Sequence, residues 1–170
     1  AITGAHRLEK SGVGTVILDN ANNDYSGGTT ISAGILRTIA FSVLPDNGAV
    51  TVSTGGRLDS GGFPQLIGTL SGAGNIELGG GALTVRDGNF AGQFVGVAGD
   101  LYKQSSGTLV LSNSNTLRET YIQQGTLTAG HAQALSGKVT VANGATLNID
   151  GVTLALANGL DLSGTGVGDA

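Results

Sequence analysis

The chain has 170 residues, enough for one domain with a real interior, and carries a net charge of −4 with only 12% charged and 4% aromatic residues. Gly accounts for 31 residues, about 18% where ~7% is usual, whereas Cys, Met and Trp are absent. An apolar share of 39% argues against disorder, two Pro without a three-residue Gly period exclude collagen, and the lack of Cys excludes disulfides and thiolate metal sites. The eight basic residues stand singly between Arg7 and Lys138, so no strip neutralises phosphates and nucleic acid is excluded as a partner. No apolar run approaches ~18 residues, so no membrane span is expected. Neither an initiating Met nor a signal-peptide pattern opens the sequence, which reads as a piece of a longer, processed polypeptide.

Taken in chain order, the apolar residues alternate rather than recurring every three or four. Thr15–Leu18 is the first strand read this way, followed by Val50–Val52, Asn75–Leu78 and Ala82–Val85. Thr108–Leu111, Lys138–Val141, Thr146–Ile149, Thr153–Leu156 and Leu160–Leu162 continue the series, each rich in aliphatic or β-branched residues and closed by Gly, Asn, Asp or Ser. Ala129 to Leu135 is the nearest approach to a helical stripe and is too short to stand alone.

The intervals carry more information than the strands. Apolar centres fall at 58, 67, 76 and 83, and again near 141, 147, 154 and 161. Steps this short, broken by single Gly or Asn, suit a coil of strand and corner whose turns stack at ~4.8 Å, rather than antiparallel hairpins. At ~20 residues per rung the expected fold is an all-β parallel solenoid of roughly eight rungs, on the order of 40 Å long. Leu, Ile and Val suit its narrow interior column, Gly, Asn and Asp its bent corners, and Thr and Ser its outer ladders.

The chain also repeats itself. Residues 8–20 match residues 101–113 at an offset of 93, and residues 29–36 match 120–127 at an offset of 91. Val50–Val52 faces Val139–Val141, and Leu58-Asp59 faces Leu147-Asn148 at an offset of 89. The lost residues fall at 22–28 and 45–49, between the anchors, which marks those stretches as corner loops. The organisation read from this is one segment, 1–170, with repeats about 8–59 and 101–150 joined by linking rungs 60–100.

The repeated pattern runs Leu-x-Lys, then Gly-Thr-hydrophobic-x-Leu-x-x-x-Asn, then Gly-Gly-Thr-Thr-Ile-x-x-Gly-x-Leu. It is carried by Leu8, Lys10, Gly14, Thr15, Leu18, Asn22, Tyr25, Gly27, Gly28, Thr29, Thr30, Ile31, Gly34 and Leu36. The second copy retains Leu101, Lys103, Gly107, Thr108, Leu111, Ile122, Gly125 and Leu127, but has Leu117-Arg118-Glu119 where the first has Tyr-Ser-Gly-Gly. The pattern resembles the passenger-associated repeat of autotransporter (type V secretion) proteins. That resemblance implies a right-handed, single-stranded parallel β-helix exported through a C-terminal outer-membrane barrel that is not in this segment. It implies a secreted product on a Gram-negative cell surface, whose partners are a host surface or matrix component or other passengers. No aromatic-rich ending of the autochaperone kind is seen, so a mid-passenger position is expected.

Catalytic and cofactor chemistry is poorly represented. His6 and His131 are 125 residues apart, no Gly-x-Gly-x-x-Gly or Walker sequence is complete, and no cofactor or metal is expected. Asp59, Glu77, Asp87, Asp100 and Asp150 are the acids that a polysaccharide-cleaving β-helix would need to bring together in a groove. Two places stand out as candidate contacts. Arg37–Asn47, with Phe41, Val43 and Pro45, interrupts the rung spacing and either protrudes as a contact or packs at a corner. Phe90 and Phe94 place aromatics where others are rare, either as contacts or as plugs in the core. The function read from all this is a non-enzymatic stalk or adhesive segment. A carbohydrate-active enzyme and an inert spacer are the alternatives.

Overall fold

A computed structural model describes residues 1–163, so the last seven residues of the expected 1–170 segment lie outside the described residues. Each turn of the chain is a short run of alternating residues, a glycine- or asparagine-bearing corner, and another short run. The strands are β1 (Leu8–Lys10), β2 (Thr15–Leu18), β3 (Thr29–Ile31), β4 (Gly34–Thr38), β5 (Val50–Val52) and β6 (Gly56–Asp59). They continue as β7 (Gln65–Gly72), β8 (Asn75–Glu77), β9 (Ala82–Phe90), β10 (Gln93–Val95), β11 (Gly99–Lys103) and β12 (Thr108–Leu111). The last are β13 (Leu117–Ile122), β14 (Thr126–Ala129), β15 (Lys138–Val141), β16 (Thr146–Ile149) and β17 (Leu160–Leu162), and there is no helix among the described residues.

Every strand pairing is parallel, and the partners lie 18 to 22 residues apart, as in Leu36 beside Leu58, Val50 beside Leu70 and Leu70 beside Gly88. The result is a parallel β-solenoid of about eight turns. Its sides are three ladders. The first face runs through β1, β3, β5, the ends of β7 and β9, then β12, β14 and β16. The second runs through β2, β4, β6, β8 and β10, and continues as isolated backbone bonds such as Thr116 N–H to the Phe94 carbonyl. The third runs through the starts of β7 and β9, then β11, β13, β15 and β17. Because β7 and β9 carry their pairing around one corner, the first and third faces form one twelve-stranded sheet.

Alternation decides what fills the interior. Val50 and Val52, Leu109 and Leu111, and Leu36, Leu58 and Ile76 all point inward and are essentially unexposed. Each covers the apolar side of the rung before it, so burial is a nearest-rung property. Both ends of the described stack are consequently open, with the inward-facing Val16 exposed at one and Ile149, Leu160 and Leu162 at the other.

Three expectations need correction. Phe90 and Phe94 are not surface contacts: they are 0% and 1% exposed and pack edge to face with ring centroids 5.6 Å apart. Room for the Phe90 ring comes from Gly92, where an added Cβ would lie 2.5 Å from Phe90 Cζ. Arg37–Asn47 does not interrupt the stacking either. Val43 and Leu44 are fully buried, and Gly68 N–H and Ser42 N–H bond to the Gly48 and Pro64 carbonyls respectively. Only the Phe41 end of that segment projects. Thr153–Leu156 is not a strand, although Ala155 N–H reaches the Ala132 carbonyl. Among the described residues the second face carries no strand after β10, so the preceding turn at residues 131–137 offers it no ladder to extend.

Candidate functional site

The repeated residues build corners. In the first copy Lys10 is only 4% exposed, and its ammonium donates to the carbonyls of Ser11 (3.1 Å), Gly12 (2.6 Å) and Ala33 (2.9 Å). In the second, Lys103 is 0% exposed and donates to Gln104 (3.4 Å), Ser105 (2.8 Å) and Gln124 (3.2 Å). A tight corner turns carbonyls away from the ladder, and an ammonium with three donors satisfies several at once. The third acceptor belongs to the next rung, so the lysine ties two turns together. Burial pulls the Lys103 ammonium below its ordinary value, and nearby Asp87 opposes that shift.

Gly34 and Gly125 close these corners at φ of 68° and 66°. A Cβ on Gly34 would sit 2.4 Å from the Gly12 carbonyl oxygen, and one on Gly125 would sit 2.4 Å from that of Gly107. Leu18, Ile31 and Leu36 in the first copy, and Leu101, Leu111, Ile122 and Leu127 in the second, line the core. Leu8 is half-buried at the open end, whereas Gly14, Thr15, Gly27 and Thr108 are exposed and Thr30 and Gly107 half-buried. Thr29 is buried and accepts or donates a 2.7 Å bond with the Tyr25 hydroxyl; burial pushes that phenol above its ordinary value. Gly28, also buried, holds Leu8 N–H on its carbonyl at 2.9 Å.

Three buried amides were not singled out from the sequence. Asn23, not the exposed Asn22, enters the interior, accepting from Ile2 N–H at 2.7 Å and donating to the Val43 carbonyl at 3.0 Å. Asn115 does the same between Phe94 N–H (2.9 Å) and the Ala134 carbonyl (3.0 Å). Gln65 accepts from Val43 and Leu44 N–H and donates to the Ala40 carbonyl. Each replaces a backbone ladder bond where a face is irregular. The signal available was the shared Asn at Leu111-x-x-x-Asn115, displaced by one residue in the first copy.

Of the five acids only Asp59 and Glu77 are neighbours, ladder partners on successive rungs, and each is held by an arginine. Asp59 and Glu77 lie on the second face paired with Arg37 and Arg57, and Asp100 is gripped by Arg118 on the third face. Asp87 accepts from the Thr69 hydroxyl at 2.7 Å near another corner, and Asp150 lies beyond β16. Among the described residues no three His, Asp or Glu side chains gather in metal-binding geometry.

Two outer surfaces remain. The corner between the second and third faces carries Ile39 (42% exposed) and Phe41 (62%), then Phe63, then the side-chain-free Gly79-Gly80, then Val97 (64%) in successive turns. Phe41 and Phe63 meet edge to face at 5.5 Å. Half-buried Pro45 sits nearby on the rim of a cleft of about 390 Å³ lined also by Asn23, Asp24, Tyr25 and Asp46. On the third face Tyr102 and Tyr121 stand outward and stack at 4.7 Å and 9°. The tyrosine pair was missed in the sequence because its two members are 19 residues apart, and rungs vary in length.

Comparison with known proteins finds the same repeat. The family model described as passenger-associated-transport-repeat matches residues 8–37 and 101–129, the two corner-building copies. The chain is 37% identical over 195 aligned residues to a Brucella suis biovar 1 (strain 1330) protein named adhesin BmaC autotransporter, covering 99% of this chain and 5% of that protein. It is 39% identical over 75 residues to the uncharacterized protein YuaQ of Escherichia coli K12, covering 43% of this chain and 6% of that protein. It is 29% identical over 172 residues to the uncharacterized lipoprotein YdeK of the same strain, covering 98% and 13%. The chain thus spans a small fraction of the length of the relatives it matches. No solved structure matches it.

Proposed function

The chain carries two copies of the passenger-associated-transport-repeat of autotransporters, and from that premise we propose that it is a length of secreted, cell-surface passenger stalk with an adhesive corner at Phe41. The stalk part follows from mechanics. Turns that bury apolar surface only against their neighbours make a rod that lengthens by repetition and presents three sides to the surroundings.

The observation that carries the adhesive part is the placement of exposed apolar side chains. Most of those at the rod's ends belong to open rungs, but Ile39, Phe41 and Val97 lie along the side, where no further rung of the stack covers them. Phe41 is held upright by Phe63 rather than folded onto the surface. A rigid aromatic pair loses little conformational freedom on contact and suits the centre of an interface. The name of the Brucella relative, an adhesin, supports this reading. The partner is a host-cell surface, a matrix component or another passenger, with the flanking backbone of Gly79-Gly80 leaving room for it.

The test is bead adhesion. Beads coated with the 170-residue chain are expected to bind epithelial monolayers, immobilised matrix or one another. Phe41→Ser lowers that binding roughly tenfold or more without changing the circular dichroism, as expected for a central aromatic contact. Equal binding by wild type and Phe41→Ser rejects the corner as the adhesive site. No binding to any of the three surfaces rejects the adhesive reading and leaves a spacer.

A further inference from the structure

The eight basic side chains can be accounted for one by one. Arg7, Arg37, Arg57, Arg118 and Lys138 are in ion pairs, and Lys10 and Lys103 are spent on corner carbonyls. Arg86 alone has no ion-pair or hydrogen-bond partner for its guanidinium among the described residues, and it is exposed. The neighbouring Asp87 carboxylate is engaged by the Thr69 hydroxyl at 2.7 Å.

Arg86 lies beside a slot. The outward column of the third face reads Leu66, Thr84, Tyr102, Tyr121 and Thr140 in successive rungs. Leu66 and Tyr102 are two rungs apart, roughly 9–10 Å, with only the short Thr84 between them. One face of the Tyr102 ring is covered by Tyr121, so its other face forms a wall of this slot. Ala82 keeps the floor low on one side, and Arg86 and Gln104 stand at the other, both exposed. Asp100, level with Ala82, is already neutralised by two hydrogen bonds from Arg118 at 2.8 and 2.6 Å. The opposite shelf, over Thr140 beside Tyr121, has no free cation: Lys138 is paired with Asp161, and Glu119 holds the Tyr121 hydroxyl.

We propose that this slot binds an acidic sugar residue. An aromatic wall takes the C–H face of a pyranose ring, Leu66 encloses its opposite face, and the Thr84 hydroxyl and the Gln104 amide oxygen, whose nitrogen donates to Gln123 at 2.8 Å, meet its hydroxyls. The Arg86 guanidinium forms a bidentate pair with the carboxylate. The site is a binding site only, since no free carboxylate pair flanks it. It lies on the third face, around the edge from the Phe41 side chain, and does not depend on that corner's role.

Tyrosine fluorescence tests it directly, because the chain has three Tyr and no Trp. The probes are a hyaluronan tetrasaccharide, which carries glucuronate, and uncharged tetra-N-acetylchitotetraose. Saturable change is expected with the acidic probe, and at least roughly tenfold weaker binding with the neutral one. Arg86→Gln should weaken the acidic probe by about tenfold, the loss of a charge-assisted pair. Thr84→Tyr fills the slot by extending the tyrosine stack, so it should keep the β spectrum and abolish binding. Phe41→Ser should bind the acidic probe like wild type, which separates this site from the adhesive corner. Unchanged binding in Thr84→Tyr, equal affinity for the two probes, or no binding of either at millimolar concentration overturns the proposal.

Discussion

Replacing Gly125 by Ala isolates what holds one turn on the next. Gly125 has φ of 66°, and an added Cβ would lie 2.4 Å from the carbonyl oxygens of both Gly107 and Ser105 in the preceding rung. Those oxygens are in use: Thr126 N–H donates to Gly107 at 3.1 Å and the Lys103 ammonium to Ser105 at 2.8 Å. Relieving the overlap parts the rungs and strips these bonds, each leaving an unmet group at about 1–3 kcal/mol. Left-handed strain adds roughly 1–2 kcal/mol. The total is on the order of 3–8 kcal/mol. Gly144→Ala is the control, since φ is 79° there but nothing lies within 4 Å of the added atom. It carries the strain alone, roughly 1–2 kcal/mol. With a urea slope of roughly 2 kcal/mol/M, the two midpoints followed by far-UV circular dichroism should differ by about 1–3 M. Equal midpoints would show that the corner glycine is needed only for its dihedral angle, and the argument from rung contact would be wrong.

Two further outcomes follow from the buried polar groups. Lys103→Met keeps the stem but removes the donor for three corner carbonyls, so it should cost about 1–3 kcal/mol, whereas Arg7→Met, whose ion pair is exposed, should stay within ~0.5 kcal/mol in the same urea titration. Tyr25→Phe removes the 2.7 Å bond to Thr29 and should cost about 1 kcal/mol at neutral pH. Burial raises the Tyr25 phenol above its ordinary value of 10.0, so its contribution is complete below that pH and is lost as the pH climbs through the folded-state value. The stability gap between wild type and Tyr25→Phe should therefore close above pH 10; a gap constant to pH 12 contradicts the assignment.

The architecture was legible because its cause is local. A strand such as Val50–Val52 or Lys138–Val141 needs only alternation and a breaker on each side, and both are written in adjacent residues. The polar interior was not legible by the same logic. Lys103 and Asn115 are buried because corner carbonyls in neighbouring turns require donors, and nothing within a few residues of either announces that need. Phe90 is buried against Phe94 on a strand set in register by the preceding rung, so composition alone left open whether it was plug or contact. The tyrosine pair and the Arg86 slot were hidden for a related reason: adjacency across rungs depends on how many residues the intervening turn spends, and that number varies from 18 to 22. Thr153–Leu156 shows the converse. Its alternation is sound, but alternation yields a strand only where a neighbouring turn supplies the ladder.

The duplication carries a different meaning in three dimensions than along the chain. Leu8 stands on the first face beside Thr29, whereas its counterpart Leu101 stands on the third face beside Leu83. The offset of 93 residues is not a whole number of turns, and the second copy arrives a third of a turn early. Copies of a stacking unit would have to share a face; these two do not. What they share is a corner: a buried lysine, a glycine one rung on, and carbonyls between them. Such a device requires only its own turn and the next, so it works at any of the three edges. The outward residues, freed from that requirement, diverge, and the positions of Glu9 and Thr30 in one copy become Tyr102 and Tyr121 in the other. The repeat therefore encodes how the rod turns, and the residues between its anchors decide what each side meets.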